Sequence, residues 1–95
     1  MRITEAERKV LTEAVQEIDH DAHVWLFGSR ADDAKKGGDI DIAVLSPKID
    51  INGRMKIRRN IVDSLGEQKI DIVVSAKGDE PFFRLAVEKG IRLDG

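Results

Sequence analysis

The sequence predicts a chain of the α/β class, α+β type, on three observations. Three apolar runs, residues 24–27, 40–45 and 69–74, alternate side to side as half-buried strands do. Three other stretches, residues 3–19, 51–65 and 80–89, repeat apolar residues at steps of three and four, the period of a helix with one buried face. With 95 residues, 41% of them apolar, the chain can bury one hydrophobic core, so residues 1–95 read as one domain.

In residues 3–19 the apolar stripe is Ile3, Ala6, Val10, Leu11, Ala14, Val15 and Ile18. Thr4 followed three residues later by Glu7 fits a capping box. In residues 24–27, Trp25 and Phe27 should share one face and Val24 and Leu26 the other. Gly28 ends that strand, and Ser29 is expected to cap a short helix from Arg30 to about Ala34. A polar turn, residues 32–38, follows, with Lys35 and Lys36 as solubilising charge. Asp39, Asp41 and Ala43 should then face one way and Ile40, Ile42 and Val44 the other. Asp50 caps the next helix, which should point Ile51, Met55, Ile61, Val62 and Leu65 inward and end at Gly66. It also carries Arg54, Lys56, Arg58 and Arg59, either as a solvated face or as a contact for a nucleotide or an acidic partner. In residues 69–74, Ile70, Ile72 and Val74 share one face, and Asp71 and Val73 the other. Pro81 suits the first turn of the last helix, Gly90 its end, and Ile91 to Leu93 a short edge strand. Phe82 and Phe83 point about 100° apart on that helix, so one suits the core and the other either a partner surface or the margin of a wide buried face.

Composition narrows the function. A net charge of -2 argues against a general nucleic-acid binder, which would carry a basic surplus. Without cysteine, disulfides and thiolate metal sites are excluded. No signal-peptide core and no membrane-length apolar run is found, so a soluble, cytoplasmic protein is expected. His20 and His23 read as a surface pair, because the metal chemistry of this chain favours oxygen.

That chemistry rests on three carboxylates. Asp39 and Asp41, two apart on a strand, point the same way about 7 Å apart at the backbone and can converge on one hard cation or bridge two. Asp71, on a second strand, can complete the set. Acids placed among Ile and Val are costly unless a cation neutralises them. Two ions about 4 Å apart can clamp the attacking and leaving oxygens of an in-line displacement at phosphorus. The Gly28-Ser29 turn offers backbone N–H groups to an anion. The pattern G-x-x-x-x-G-K-[ST] of a P-loop is absent. A D-x-D sugar-nucleotide transferase would need a longer chain for its acceptor site.

These motifs, G-S-R-A, G-G-D-I-D-I-A-V-L and K-I-D-I-V-V, with the tail P-F-F-R-L-A-V-E-K-G-I-R-L, resemble the minimal nucleotidyltransferases of the DNA polymerase β superfamily. The resemblance covers most of residues 24–93. It implies a small mixed sheet flanked by helices, two Mg2+ ions, and transfer of a nucleoside monophosphate, AMP from ATP. It assigns the nucleotide to Gly28, Ser29 and Arg30. Asp39, Asp41 and Asp71 become the metal ligands and catalytic acids, with Asp71 also helping to activate the acceptor hydroxyl. Gly38 stands where the family usually has serine, which removes a hydroxyl near the phosphates. Short members are often encoded beside a helical HEPN-domain partner. The resemblance therefore implies an antitoxin that adenylylates a tyrosine of a HEPN-type toxin; this chain has no tyrosine of its own. The alternative is a catalytically weak or inactive subunit that covers such a partner.

Overall fold

Helix α1, Glu5–Gln16, starts where its capping box closes: Thr4 Oγ1 accepts from Glu7 N–H at 3.0 Å, and Glu7 Oε1 accepts from Thr4 N–H at 2.8 Å. It is shorter at both ends than its apolar stripe suggested. The computed structural model describes residues 3–32 and 38–95. After α1 come β1, His23–Phe27; a 3-10 turn, Gly28–Ala31; β2, Ile40–Leu45; and α2, Ile51–Leu65. Then follow β3, Ile70–Ser75; α3, Pro81–Lys89; and β4, Ile91–Arg92. The strands form one mixed sheet in the order β3-β2-β1-β4. β2 and β3 run parallel, joined by α2, while β1 is antiparallel to both its neighbours.

Alternation divides the residues between two cores as the sequence predicts. Val24, Leu26, Ile40, Ile42, Val44, Ile70 and Ile72 are buried on one face, with Leu11 and Val15 of α1 and Ile57 and Ile61 of α2 over them. Each such aliphatic side chain stabilises the fold by about 1.5–3 kcal/mol. On the other face α3 lays Phe83 and Ala86 against Ala43, with Trp25, Phe27, Leu45 and Val73 around them. Among the described residues, three α-helices and a mixed sheet make an α+β fold with helices on both faces.

Helix α2 departs from expectation. Its cap is as predicted, with Asp50 Oδ1 accepting from Gly53 N–H at 2.8 Å, and Gly66 ends it. Its buried stripe, however, is Gly53, Ile57 and Ile61. Ile51 and Met55, expected inside, are 68% and 59% exposed. The close approach of Ile18 and Ile49 at Gly53 fixes this rotation: a Cβ there would come within 3.3 Å of both. Among the described residues no helix is long and apolar enough to cross a membrane.

Two buried carboxylates hold the chain ends and turns. Asp94 accepts from Val24 N–H and from His23 Nδ1, both at 2.9 Å, and from Arg92 at 3.3 Å. Burial alone would raise its pKa. The donors from Arg92, His23 and the Val24 backbone outweigh that and hold it down at about 2. His20 is exposed as expected, and His23, its side chain 43% exposed, is in addition half of an intramolecular contact with Asp94. Asp19 accepts from the Ser46 hydroxyl and from Asp21 N–H, and the Ser46 bond chiefly keeps its pKa low.

Candidate active site

The parallel pairing of β2 and β3 sets Asp41 directly beside Asp71, and the antiparallel pairing of β1 sets Phe27 on its other side. Residues in register on neighbouring strands share a face. The acids therefore lie on the α3 side of the sheet, in line with Ala43 and Val73. They come at the start of their strands, before that apolar row. Asp41 is thus half-buried and Asp71 exposed at the mouth of the second core.

The Asp41 carboxyl is pushed up to about 6. Burial is the main cause. A hydrogen bond shared with Asp71 and the charges of Asp71 and Asp39 add to it, and Lys69 offsets them in part. Asp39 stands apart: its Oδ2 faces Lys69 Nζ at 3.7 Å. The structure thus brings two of the three expected acids together and holds the third in an ion pair beside them. Among the described residues no three His, Asp or Glu side chains converge as a ready metal-holding group. The donors still suit a hard divalent cation. They are carboxylate oxygens, the ionisation of Asp41 is opposed by its acidic neighbours, and the basic groups around them are Lys69 beside Asp39 and Arg54 and Arg58 in the cavity wall.

The turn after β1 meets the same acids. Gly28 has φ +75°, and a Cβ there would overlap Asp41 Oδ2. Only glycine lets the backbone pass so close to that carboxylate. Ser29 was expected to cap a helix. It lies instead inside the 3-10 turn, which follows Phe27 without a side-chain cap, and the end of the expected helix, residues 33–34, lies outside the described residues. So does most of the expected polar turn, Lys35 and Lys36 included. Arg30 lies back across the turn: it donates to the Gly38 carbonyl at 3.0 Å and stands 3.5 Å from Glu7 of α1. That tie joins the start of α1, the turn and the approach to β2.

A cavity of about 470 Å³ opens over Asp41 and Asp71, walled by Phe27 and Phe82 and by Arg54 and Arg58. The two phenylalanine rings meet edge to face at 6.1 Å. Of the pair, Phe83 is the core residue and Phe82 the exposed one, so a wide buried face does not cover both. Reaching the cavity, Arg54 and Arg58 extend from α2 around β3, the last strand of the sheet. Sequence reasoning left these two among four undifferentiated cations. Their spacing of four, on a face that also carries Ile51 and Met55, was the available signal.

Comparison with curated proteins gives no match. The family described as Polymerase beta, Nucleotidyltransferase matches residues 9–94, nearly the whole chain. The matched span holds the Gly28 turn, all three acids and every strand. By that match, on an α+β fold of the corresponding kind, the chain belongs to the polymerase β nucleotidyltransferase family, as a minimal nucleotidyltransferase.

Proposed function

We propose that this nucleotidyltransferase moves AMP from ATP to a hydroxyl group on a partner protein, using divalent metal. The observation that carries the proposal is the Asp41–Asp71 pair in register beneath the Gly28 turn. Asp39, Asp41 and Asp71 would hold Mg2+, which when bound supplies charge neutralisation at the phosphates. Asp39 would exchange Lys69 for that role. The turn at Gly28 and Ser29 offers backbone donors to the triphosphate, and Arg30 keeps the turn in place. The acceptor oxygen attacks the α-phosphorus, the bond to the bridging oxygen breaks, and pyrophosphate leaves. The hydroxyl proton passes to a carboxylate, for which Asp71, exposed at the cavity mouth, is the candidate base. The resemblance to short family members supports the further reading of an antitoxin acting on a HEPN-type toxin.

A second reading is a binding subunit with little catalysis. The Lys69–Asp39 ion pair and Gly38 in place of serine favour it. One experiment separates the two. If the chain is a transferase, Mg-ATP at millimolar concentration raises the melting temperature, since a ligand of the native state stabilises it. Label from α-labelled ATP then appears on the partner protein. No thermal shift and no label would leave only the binding subunit.

A further inference from the structure

The functional pieces lie in a fixed order across the sheet. The Gly28 turn follows β1, Asp41 is on β2 and Asp71 on β3, and β3 is the outermost strand on that side. Beyond it stand Arg54 and Arg58. If the triphosphate lies at the turn, the remaining open side of the cavity is the one these arginines line. On the transferase reading, that side is the one left for the acceptor.

The surface there has an uncommon make-up. Ile51, Arg54, Met55 and Arg58 fall at i, i+3, i+4 and i+7, one continuous stripe on α2. This stripe is turned away from the buried one of Gly53, Ile57 and Ile61. Its two apolar members are exposed, as are Phe82 and Leu85 of α3, at 58% and 49%. Neither arginine is in a salt bridge among the described residues. A solvated helix face would carry mixed charges and few large apolar groups. This one offers two guanidinium groups, a chemistry that pairs bidentately with carboxylates, between apolar side chains.

We infer that this stripe, with Phe82, docks an acidic, hydroxyl-bearing segment of the acceptor protein. The inference rests on the transferase reading for what happens after docking, not for docking itself. Charge complementarity selects the occupant. Two arginines beside Asp41 and Asp71 favour a segment whose carboxylates lie a few residues from its hydroxyl, so that they meet Arg54 and Arg58 and not the acids. A nucleic acid fits less well, because the chain is acidic overall and half the stripe is apolar.

The test is binding to the full chain without metal or nucleotide, read by fluorescence anisotropy. The probes are labelled peptides of equal length, each with one tyrosine flanked by glutamate, serine or lysine, and a single-stranded oligonucleotide. The glutamate peptide should bind about tenfold more tightly than the serine peptide, and the lysine peptide least. Arg54→Glu with Arg58→Glu should remove that preference, and Ile51→Ser with Met55→Ser should weaken all three peptides. Should the charge reversal disturb folding, Arg54→Gln with Arg58→Gln keeps the side-chain length and should still lose the preference. Equal binding of the glutamate and serine peptides, an unchanged preference in the arginine variants, or preferential binding of the oligonucleotide would each overturn the inference. The thermal shift with Mg-ATP is read on the same proteins. Its absence from the unmodified chain counts against the transferase reading alone, while the peptides still decide the docking surface.

Discussion

Asp41 and Asp94 are both acids set against apolar strands, and they have opposite surroundings. Asp94 receives donors from a backbone N–H, a histidine and an arginine, and they keep it ionised down to about 2. Asp41 is held up at about 6 by burial and by two further acids. Burial acts on both in the same direction, so the difference lies in what was placed around them. An acid that serves the fold is given its hydrogen-bond donors within the chain. An acid left among other acids is costly while ionised, unless it takes up a proton or a positive charge is brought to it. That contrast separates a carboxylate that serves the fold from one that is a candidate for the site, on their surroundings alone.

Breaking the proposed catalytic side should give the largest effect. Asp39→Asn with Asp41→Asn should lower metal-dependent nucleotide transfer by at least about a thousandfold, the scale of several kcal/mol of charge stabilisation. The metal-free protein should melt no lower than the unmodified chain, and somewhat higher, because the amide at position 41 no longer opposes Asp71. Transfer of labelled nucleotide and a thermal scan check the two halves. Transfer at the unmodified rate would place the chemistry elsewhere, and a fall in melting temperature would make these acids structural.

The structural side breaks differently. Asp94→Ala leaves the Val24 N–H, His23 and Arg92 without their shared acceptor. It should cost about 2–3 kcal/mol, or on the order of 10–20 °C in a domain of this size. The increment that Mg-ATP adds to the melting temperature should stay the same. A loss of that increment would mean that the two regions are coupled.

These two regions were unequally legible in the sequence. The acids of the site were, because each sits in an alternating strand where its face can be assigned, and the sheet kept that assignment for Asp41, Asp71, Ala43 and Val73. The caps at Thr4 and Asp50 and the first-turn Pro81 were legible as well, since each is a local pattern of a few residues. Asp94 was not, because its partner His23 lies 71 positions away and no local spacing announces the pair. The rotation of α2 was also hidden. Ile51, Met55 and Ile57 are equally apolar, and what chose Ile57 is the close contact of Gly53 with Ile18 and Ile49. The same rotation carries Arg54 and Arg58 to the cavity, so their place followed from packing that the helical period left open.

Gly28 links the turn to the acids and gives a smaller, more local effect. In Gly28→Ala the positive φ strains the backbone and the new methyl displaces the Asp41 carboxylate. A loss of about 1–2 kcal/mol is expected, from the strain alone. The concentration of Mg-ATP needed for half the thermal shift should rise as well, which separates this variant from Asp94→Ala. A variant that melts lower yet keeps its nucleotide response would leave the turn a structural bend only.

The opposite pH dependence of the two acids tests the contrast most directly. Asp94 has a lower pKa folded than unfolded, where an aspartate titrates near about 3.9. Its contribution is therefore present above about 4 and is lost as the pH falls towards about 2. Asp41 has a higher pKa folded than unfolded. The folded chain keeps that proton after the unfolded chain has lost it. Stability due to Asp41 is thus intact below about 4 and declines as the pH rises to about 6. In metal-free buffer with a chelator, the melting-temperature gap between the unmodified chain and Asp94→Asn should close on acidification below about 4. The gap to Asp41→Asn should instead open, in favour of the variant, between about 4 and 6. Gaps that move in the same direction would show that both acids answer to burial alone, and the distinction between donor-supplied and donor-starved carboxylates would fail for this fold.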